Sequence, residues 1–171
     1  QRAGKKANPS AAIIDSQSVK TDEQAAIRGY DAGKKIKGRK RHILVDTLGL
    51  LLGVLVTAAS VSDPAGARQL LSSLGGFCKN VRKIWADGTY RGTLLTWVAA
   101  HFRFRIEPIV PPKGQKGFQV LPRRWVVERT HSWMNRFRRI LIRWEKKSEN
   151  YLAFLHFACA LIAFRAAGLF G

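Results

Sequence analysis

Apolar residues in this chain come in short runs set off by turn-forming residues, and each run predicts one element. Residues 11–14 are apolar and end at Asp15, which reads as a short buried strand. Residues 16–41 show almost no apolar periodicity. Gly29, Gly33 and Gly38 lie there among many lysines and arginines, so a basic loop or twisted ribbon is expected. Residues 42–46 and 51–58 predict a hairpin of two strands around a turn at 47–50. Asp63-Pro64 reads as a helix start, with Asp63 as N-cap and Pro64 in the first turn, for a helix ending near Leu74 before Gly75-Gly76. A strand over 81–86, a helix over 93–101 and a strand over 102–109 follow. Next come a Pro/Gly/Lys loop at 111–119, a helix from near Pro122 past Phe137, and an apolar helix over 149–167.

That order predicts an α/β fold: a mixed sheet, three strands in meander plus parallel strands, with helices on both faces. Residues 1–10 read as a linker, and 11–171 as one domain with a sizeable core. No internal repeat is visible. The chain starts without a methionine, so upstream sequence is expected to be missing.

Charge narrows the partner. Thirty Lys and Arg stand against eleven Asp and Glu, a net charge of +19. A field of that sign attracts polyanions: nucleic acid first, RNA as readily as DNA, and an anionic membrane surface second. Membrane spanning is not expected. Residues 43–61 carry Asp46, glycines and many β-branched residues, and residues 151–170 carry His156 and Arg165 mid-run. Cys78 and Cys159 stand far apart with no CxxC, which argues against zinc or a disulfide framework and for reduced cytoplasmic thiols. No P-loop and no GxGxxG is present, so nucleotide-fuelled chemistry has no support.

Few acids remain, and their positions are informative. Asp15 and Asp87 each follow a predicted strand, where open α/β sheets gather ligands, although either one alone could merely cap a turn. Glu128 is the single carboxylate in a polar stripe of Arg124, Glu128, Ser132, Asn135 and Arg139, roughly 80° wide at 100° per residue. By itself it could equally be a solvated acid paired with Arg124. Together the three fit a two-metal phosphoryl-transfer site, since hard divalent ions prefer carboxylate oxygen. The basic segments suit the same task. Lys34, Lys35, Lys37, Arg39, Lys40 and Arg41, with Arg136, Arg139 and Arg143, could neutralise phosphates. Tyr30, Tyr90, Trp125 and Trp133 lie near them and could stack on a base, with core packing the expected role for Trp133. His42 and His131 are expected to be structural or phosphate-facing.

The runs IIDSQSVKT, RGYDAGKKIKGRKRHILVDTLGLLLGVLVTAASVSD, KIWADGTYRG and RRWVVERTHSWMNRFRRI resemble the DDE transposases of bacterial insertion sequences, in the insertion-sequence-five-like group. The resemblance extends from about Ile13 to Ala167. It implies a ribonuclease H-like core, with Asp15, Asp87 and Glu128 as catalytic metal ligands. It also implies Mg²⁺, with Mn²⁺ as substitute, cleavage at element ends and joining to target DNA. Arg124 takes a DNA-contacting position, and Asn135 stands where related signatures have Lys. The expected setting is the bacterial cytoplasm at the nucleoid, with a homodimer on the DNA. Full-length relatives have a further N-terminal region for end recognition, which this chain lacks. Two alternatives differ in their products. A nuclease or resolvase on the same fold would cut without joining, and a basic binding module would do neither.

Overall fold

The computed structural model describes residues 8–75, 79–110, 123–141 and 144–169. Its centre is a six-stranded sheet: β1 (Ala11–Lys20), β2 (Gly29–Asp31), β3 (Ile36–Asp46), β4 (Leu51–Ala58), β5 (Lys83–Asp87) and β6 (Arg105–Ile109). Strand order is β2-β3-β1-β5-β6, with β4 also on β3. The pairs β1–β3, β2–β3 and β3–β4 are antiparallel, whereas β1–β5 and β5–β6 are parallel. A mixed sheet was the expectation, and a mixed sheet is what forms.

Side-chain alternation sends successive residues to opposite faces, and two cores result. Ala12, Ile14, Leu44, Ile84 and Ala86 face helices α1 (Asp63–Ser73) and α2 (Thr93–His101) in one core. Ile13, Ile43, Val45 and Trp85 face α3 (Arg124–Asn135) and α5 (Ser148–Ala166) in the other, with Ile140 of the short α4 (Arg138–Leu141). The β3–β4 turn is closed by Asp46, whose carboxylate accepts from the Leu48 and Leu50 amides at 2.8 and 2.9 Å. Gly49 takes φ +84 there, and a side chain would press on the Thr130 hydroxyl of α3.

Several boundaries move, each for a physical reason. The 16–41 segment is strand at both ends: β1 runs to Lys20 and β3 starts at Ile36, forming a long antiparallel ribbon. Its inward positions are polar and satisfy one another, which hides the period-two pattern. Ser62, not Asp63, caps α1 by accepting from the Ala65 amide, and Asp63 is the first helical residue. The helix predicted past Phe137 stops at Asn135 and resumes as α4. The 111–119 loop, Pro122 and Gly76 lie outside the described residues. Among the described residues, no helix is long and apolar enough to cross a membrane. Cys159 is free and buried, its thiol pushed up to about 11 by burial; Cys78 lies outside the described residues.

Candidate active site

The registered pairing of β1 with β5 ends at Ile13 opposite Trp85. Continued by two residues, that register sets Asp15 beside Asp87, the last residue of β5. Ile13 and Trp85 share the α3-side core, so Asp15 and Asp87, two residues on, face α3 as well. Asp87 is the last residue of β5, at the carboxyl end where open α/β sheets collect ligands, whereas β1 runs on to Lys20 and Asp15 lies within it, just past its parallel pairing with β5.

Asp15 is largely buried, and its Oδ2 lies 3.5 Å from Nε2 of His131 on α3. Burial lowers the His131 pKa despite the facing carboxylate, so the ring is neutral there. Asp87 accepts from the Thr89 amide at 2.8 Å and from the Thr89 hydroxyl, a local turn that fixes the carboxylate at the strand end.

Helix α3 crosses this edge with two functional sides. One side ties it to the β3–β4 turn: the Thr130 hydroxyl donates to the Gly49 carbonyl at 2.7 Å and Arg129 to the Leu48 carbonyl at 2.8 Å. The other side carries His131, Asn135 and Glu128 within about 60° of arc at 100° per residue. His131 reaches Asp15, and Asn135 accepts from Arg41 at 2.8 Å. Glu128 is on the Asp15 side of the helix, but its side chain is 58% exposed and lies 3.6 Å from Arg124. Thus Asp15 and Asp87 stand on neighbouring strands, and Glu128 stands apart on α3 beside Arg124. Among the described residues, no three His, Cys, Asp or Glu side chains are grouped closely enough to cage an ion. The donor set is nonetheless all carboxylate oxygen, which suits a hard divalent cation once Glu128 leaves Arg124.

On the opposite face of the same strands lies a second polar cluster that the residue pattern did not disclose. Lys40 bridges Asp63 at 2.9 Å and Asp31 at 3.3 Å. Ser16 donates to Asp63 at 2.7 Å and Ser18 to Asp31 at 2.5 Å. The Ser18 bond, then others against the cost of burial, lowers the Asp31 carboxyl to about 2. Burial opposes ionisation of Asp63, but Ser16 and Lys40 outweigh it and its pKa is lowered too. Tyr90 is wholly buried, and burial followed by the charges of Asp15, Asp63 and Asp87 pushes its phenol well above its usual value. The one available sequence signal was parity, since Ser16 and Ser18 continue the inward side of Ile14. His42, which the sequence marked as structural or phosphate-facing, is structural. It sits fully buried under Gly66, bonded to Thr57 at 3.0 Å, and burial depresses it to about 4.

The basic residues divide in two. Lys34, Lys35 and Lys37 are exposed along the β2–β3 turn, and Lys34 also donates to the Ser16 carbonyl at 3.4 Å. Arg136 and Arg139 are exposed as well, Arg139 lying 3.5 Å from Glu145. Arg39, Lys40 and Arg41, expected at the DNA, are buried instead. Arg39 donates to the carbonyls of Ile27, Glu145 and Lys146 at 2.9, 2.8 and 2.5 Å. Lys40 serves the acids just described, and Arg41 donates to Gln17 and Asn135. Position along β3 explains the division, because Arg39, Lys40 and Arg41 lie between β1 and β4, whereas Lys34, Lys35 and Lys37 lie at the end of the ribbon beside the short β2. Arg143 lies outside the described residues. Of the aromatics, Tyr30 and Trp125 are exposed and Tyr90 is core. Arg129 lies between Trp125 and Trp133, 4.6 Å from each ring.

The comparisons with known proteins point in one direction. The family described as "Transposase DDE domain" matches residues 6–163. The chain is 34% identical over 134 residues to the "Putative transposase for insertion sequence element IS402" of Burkholderia cepacia, covering 73% of this chain and 62% of that protein. It is 29% identical over 131 residues to the "Putative transposase for insertion sequence element IS6501" of Brucella ovis, covering 74% of this chain and 98% of that protein. The chain therefore spans less than two thirds of the Burkholderia protein's length.

Proposed function

The chain belongs to the transposase DDE-domain family, and on that premise we propose that it cuts DNA at the ends of an insertion element and joins them to target DNA. In this reading residues 11–171 are the catalytic unit, on a ribonuclease H-like fold. It works in the bacterial cytoplasm at the nucleoid, with two copies holding two ends. The observation that supports the proposal is Asp87 at the end of β5 with Asp15 on the adjacent strand, just past the parallel pairing of the two and beside His131 of the helix that bears Glu128.

Asp15, Asp87 and Glu128 would hold Mg²⁺, or Mn²⁺ in its place. Bound ions of that kind supply Lewis-acid stabilisation to the attacking and leaving oxygens of a phosphodiester. The chain's own groups set the stage. His131 lies beside Asp15 without competing as a cation, and the Thr89 turn fixes Asp87. Glu128 would help hold the ions in place of its solvent-exposed contact with Arg124, which would leave Arg124 for a phosphate. Lys34, Lys35, Lys37 and Arg136 neutralise the backbone without reading sequence.

The test is Mn²⁺-dependent reaction of labelled duplex taken from the DNA flanking the gene, with the chain and its Asp87→Asn form. Joined product that vanishes in the variant is expected. Cleavage without joining would make the chain a nuclease. Binding without either reaction, unchanged by the variant, would make it a binding module.

A further inference from the structure

The entries to β5 and β6 bring together a group of cations at the far end of β5 from Asp87. Segments 79–86 and 102–107 hold Lys79, Arg82, Lys83, Arg103 and Arg105 against one carboxylate, Glu107. Parallel pairing sets them side by side: Lys83 stands opposite Arg105, and the Arg105 amide donates to the Arg82 carbonyl at 3.2 Å. Arg82, Lys83, Arg103 and Arg105 line an open cleft of about 460 Å³ with Phe102 and Phe104. Glu107 lies 3.0 Å from Lys83 and 3.9 Å from Arg105, whose side chain stays 73% exposed. Arg82 and Arg103 are exposed and, among the described residues, have no carboxylate within ion-pair distance.

The strand registers measure how far this group stands from the basic β2–β3 turn. Lys83 lies opposite Ala11 at the start of β1, and Gly38, just past Lys37, lies opposite Lys20 at its end. The nine steps from Ala11 to Lys20 span about 30 Å at roughly 3.3 Å per residue. The two groups also sit on opposite sides of β1, which has β3 on one flank and β5 with β6 on the other. Asp15 falls near the middle, four residues from Ala11 and five from Lys20. That span is the rise of about nine base pairs at roughly 3.4 Å each. A small anion can therefore touch one group only, whereas a duplex reaches both.

We propose that the amino ends of β5 and β6 form a second phosphate-binding surface for duplex DNA, which holds the same duplex as the β2–β3 turn and leads it past Asp15 and Asp87. The cleft is open and its charged rim is almost wholly cationic, so it grips the backbone without reading bases. This inference rests on the DNA reading above and adds to it a path and a minimum length of duplex.

Binding of labelled duplexes of about six and about twelve base pairs, roughly 20 and 40 Å long, tests it without divalent ions. The unaltered chain is expected to hold the longer duplex at least about tenfold more tightly, because that one spans both groups. Arg82→Gln, Arg103→Gln and Arg105→Gln together should remove most of that gain, with circular dichroism unchanged. On the longer duplex they should also lower the slope of log affinity against log salt by about 3. Affinity for the shorter duplex should fall about twofold at most, since the other group still binds it. Changing Lys34, Lys35 and Lys37 to Gln should erase the length gain in the same way. Equal losses on both lengths would mean bulk charge and would overturn the proposal, as would a triple-arginine variant that keeps the gain. In either case a turn variant that still weakens binding leaves the DNA reading standing. No binding by any form at either length would remove both.

Discussion

Carboxylates lie against both faces of the sheet, and the two faces treat them oppositely. On the α1 side, Asp31 and Asp63 receive an internal cation, Lys40, and two serine hydroxyls. On the α3 side, Asp15 meets a neutral histidine and Asp87 a threonine of its own turn. The first set is held ionised by groups the fold supplies. In the function proposed above, the second would be completed by metal ions. An acid in this protein becomes a candidate reactant by what its surroundings omit.

That contrast can be broken by substitution. Asp87→Asn should cut DNA joining on the order of a thousandfold, about 4 kcal/mol of barrier, while thermal unfolding barely moves. Equal losses of activity and stability would put Asp87 in the same class as Asp63. Lys40→Met should do the reverse by leaving two buried carboxylates uncompensated. A loss of about 3 to 4 kcal/mol in urea unfolding is expected, and an undiminished midpoint would show that the cluster does not need its lysine.

Acid sharpens the comparison from the α1 side. The His42 pKa is depressed from 6.5 to about 4, so the unfolded chain binds the extra proton first as pH falls. The contribution is intact above pH 6.5 and lost between about 6.5 and 4, worth about 3 kcal/mol in all. The lowered carboxyls of Asp31 and Asp63 act in the same direction at still lower pH. Urea midpoints at pH 7 and pH 5 should differ, and the difference should shrink in His42→Gln. The smallest effect concerns the exposed charges. Changing Lys34, Lys35 and Lys37 to Gln should lower the slope of log affinity against log salt by about 3, with stability unaffected. Arg39→Gln should leave that slope alone and destabilise the chain.

Much of this contrast was legible before the fold was known, and the illegible part has a common cause. Strand β4 and helix α2 fall at their expected residues because each is an apolar run that opens after a turn-forming glycine, Gly49 and Gly92. Asp87 at the end of β5 was visible because an apolar run stops at a carboxylate; the same signal at Asp15 marks the end of the apolar run only, since β1 continues to Lys20. The inner ribbon was not legible, since Ser16, Ser18 and Lys40 are polar residues facing inward, a pattern that resembles a loop. Nor could a count of charges separate Lys37 from Arg39, two residues apart and respectively exposed and sealed. The break between α3 and α4 falls at Arg136 and Phe137, with neither Gly nor Pro to announce it. Ser62 and Asp63 are both good capping types, and only the distant Lys40 decides which of them is used elsewhere.

The buried Arg39 guanidinium has a consequence for how the protein is made. Two of its acceptors, the Glu145 and Lys146 carbonyls, are more than a hundred residues downstream. During synthesis the strand that carries it emerges long before those carbonyls do, and N-terminal parts of a chain tend to organise first. The nascent sheet must therefore wait with a sealed cation half-satisfied until the last helix arrives. A reading frame cut short before residue 144 would leave that position unmet for good. Such a remnant would be cleared as an unfinished product, whatever the state of its acids.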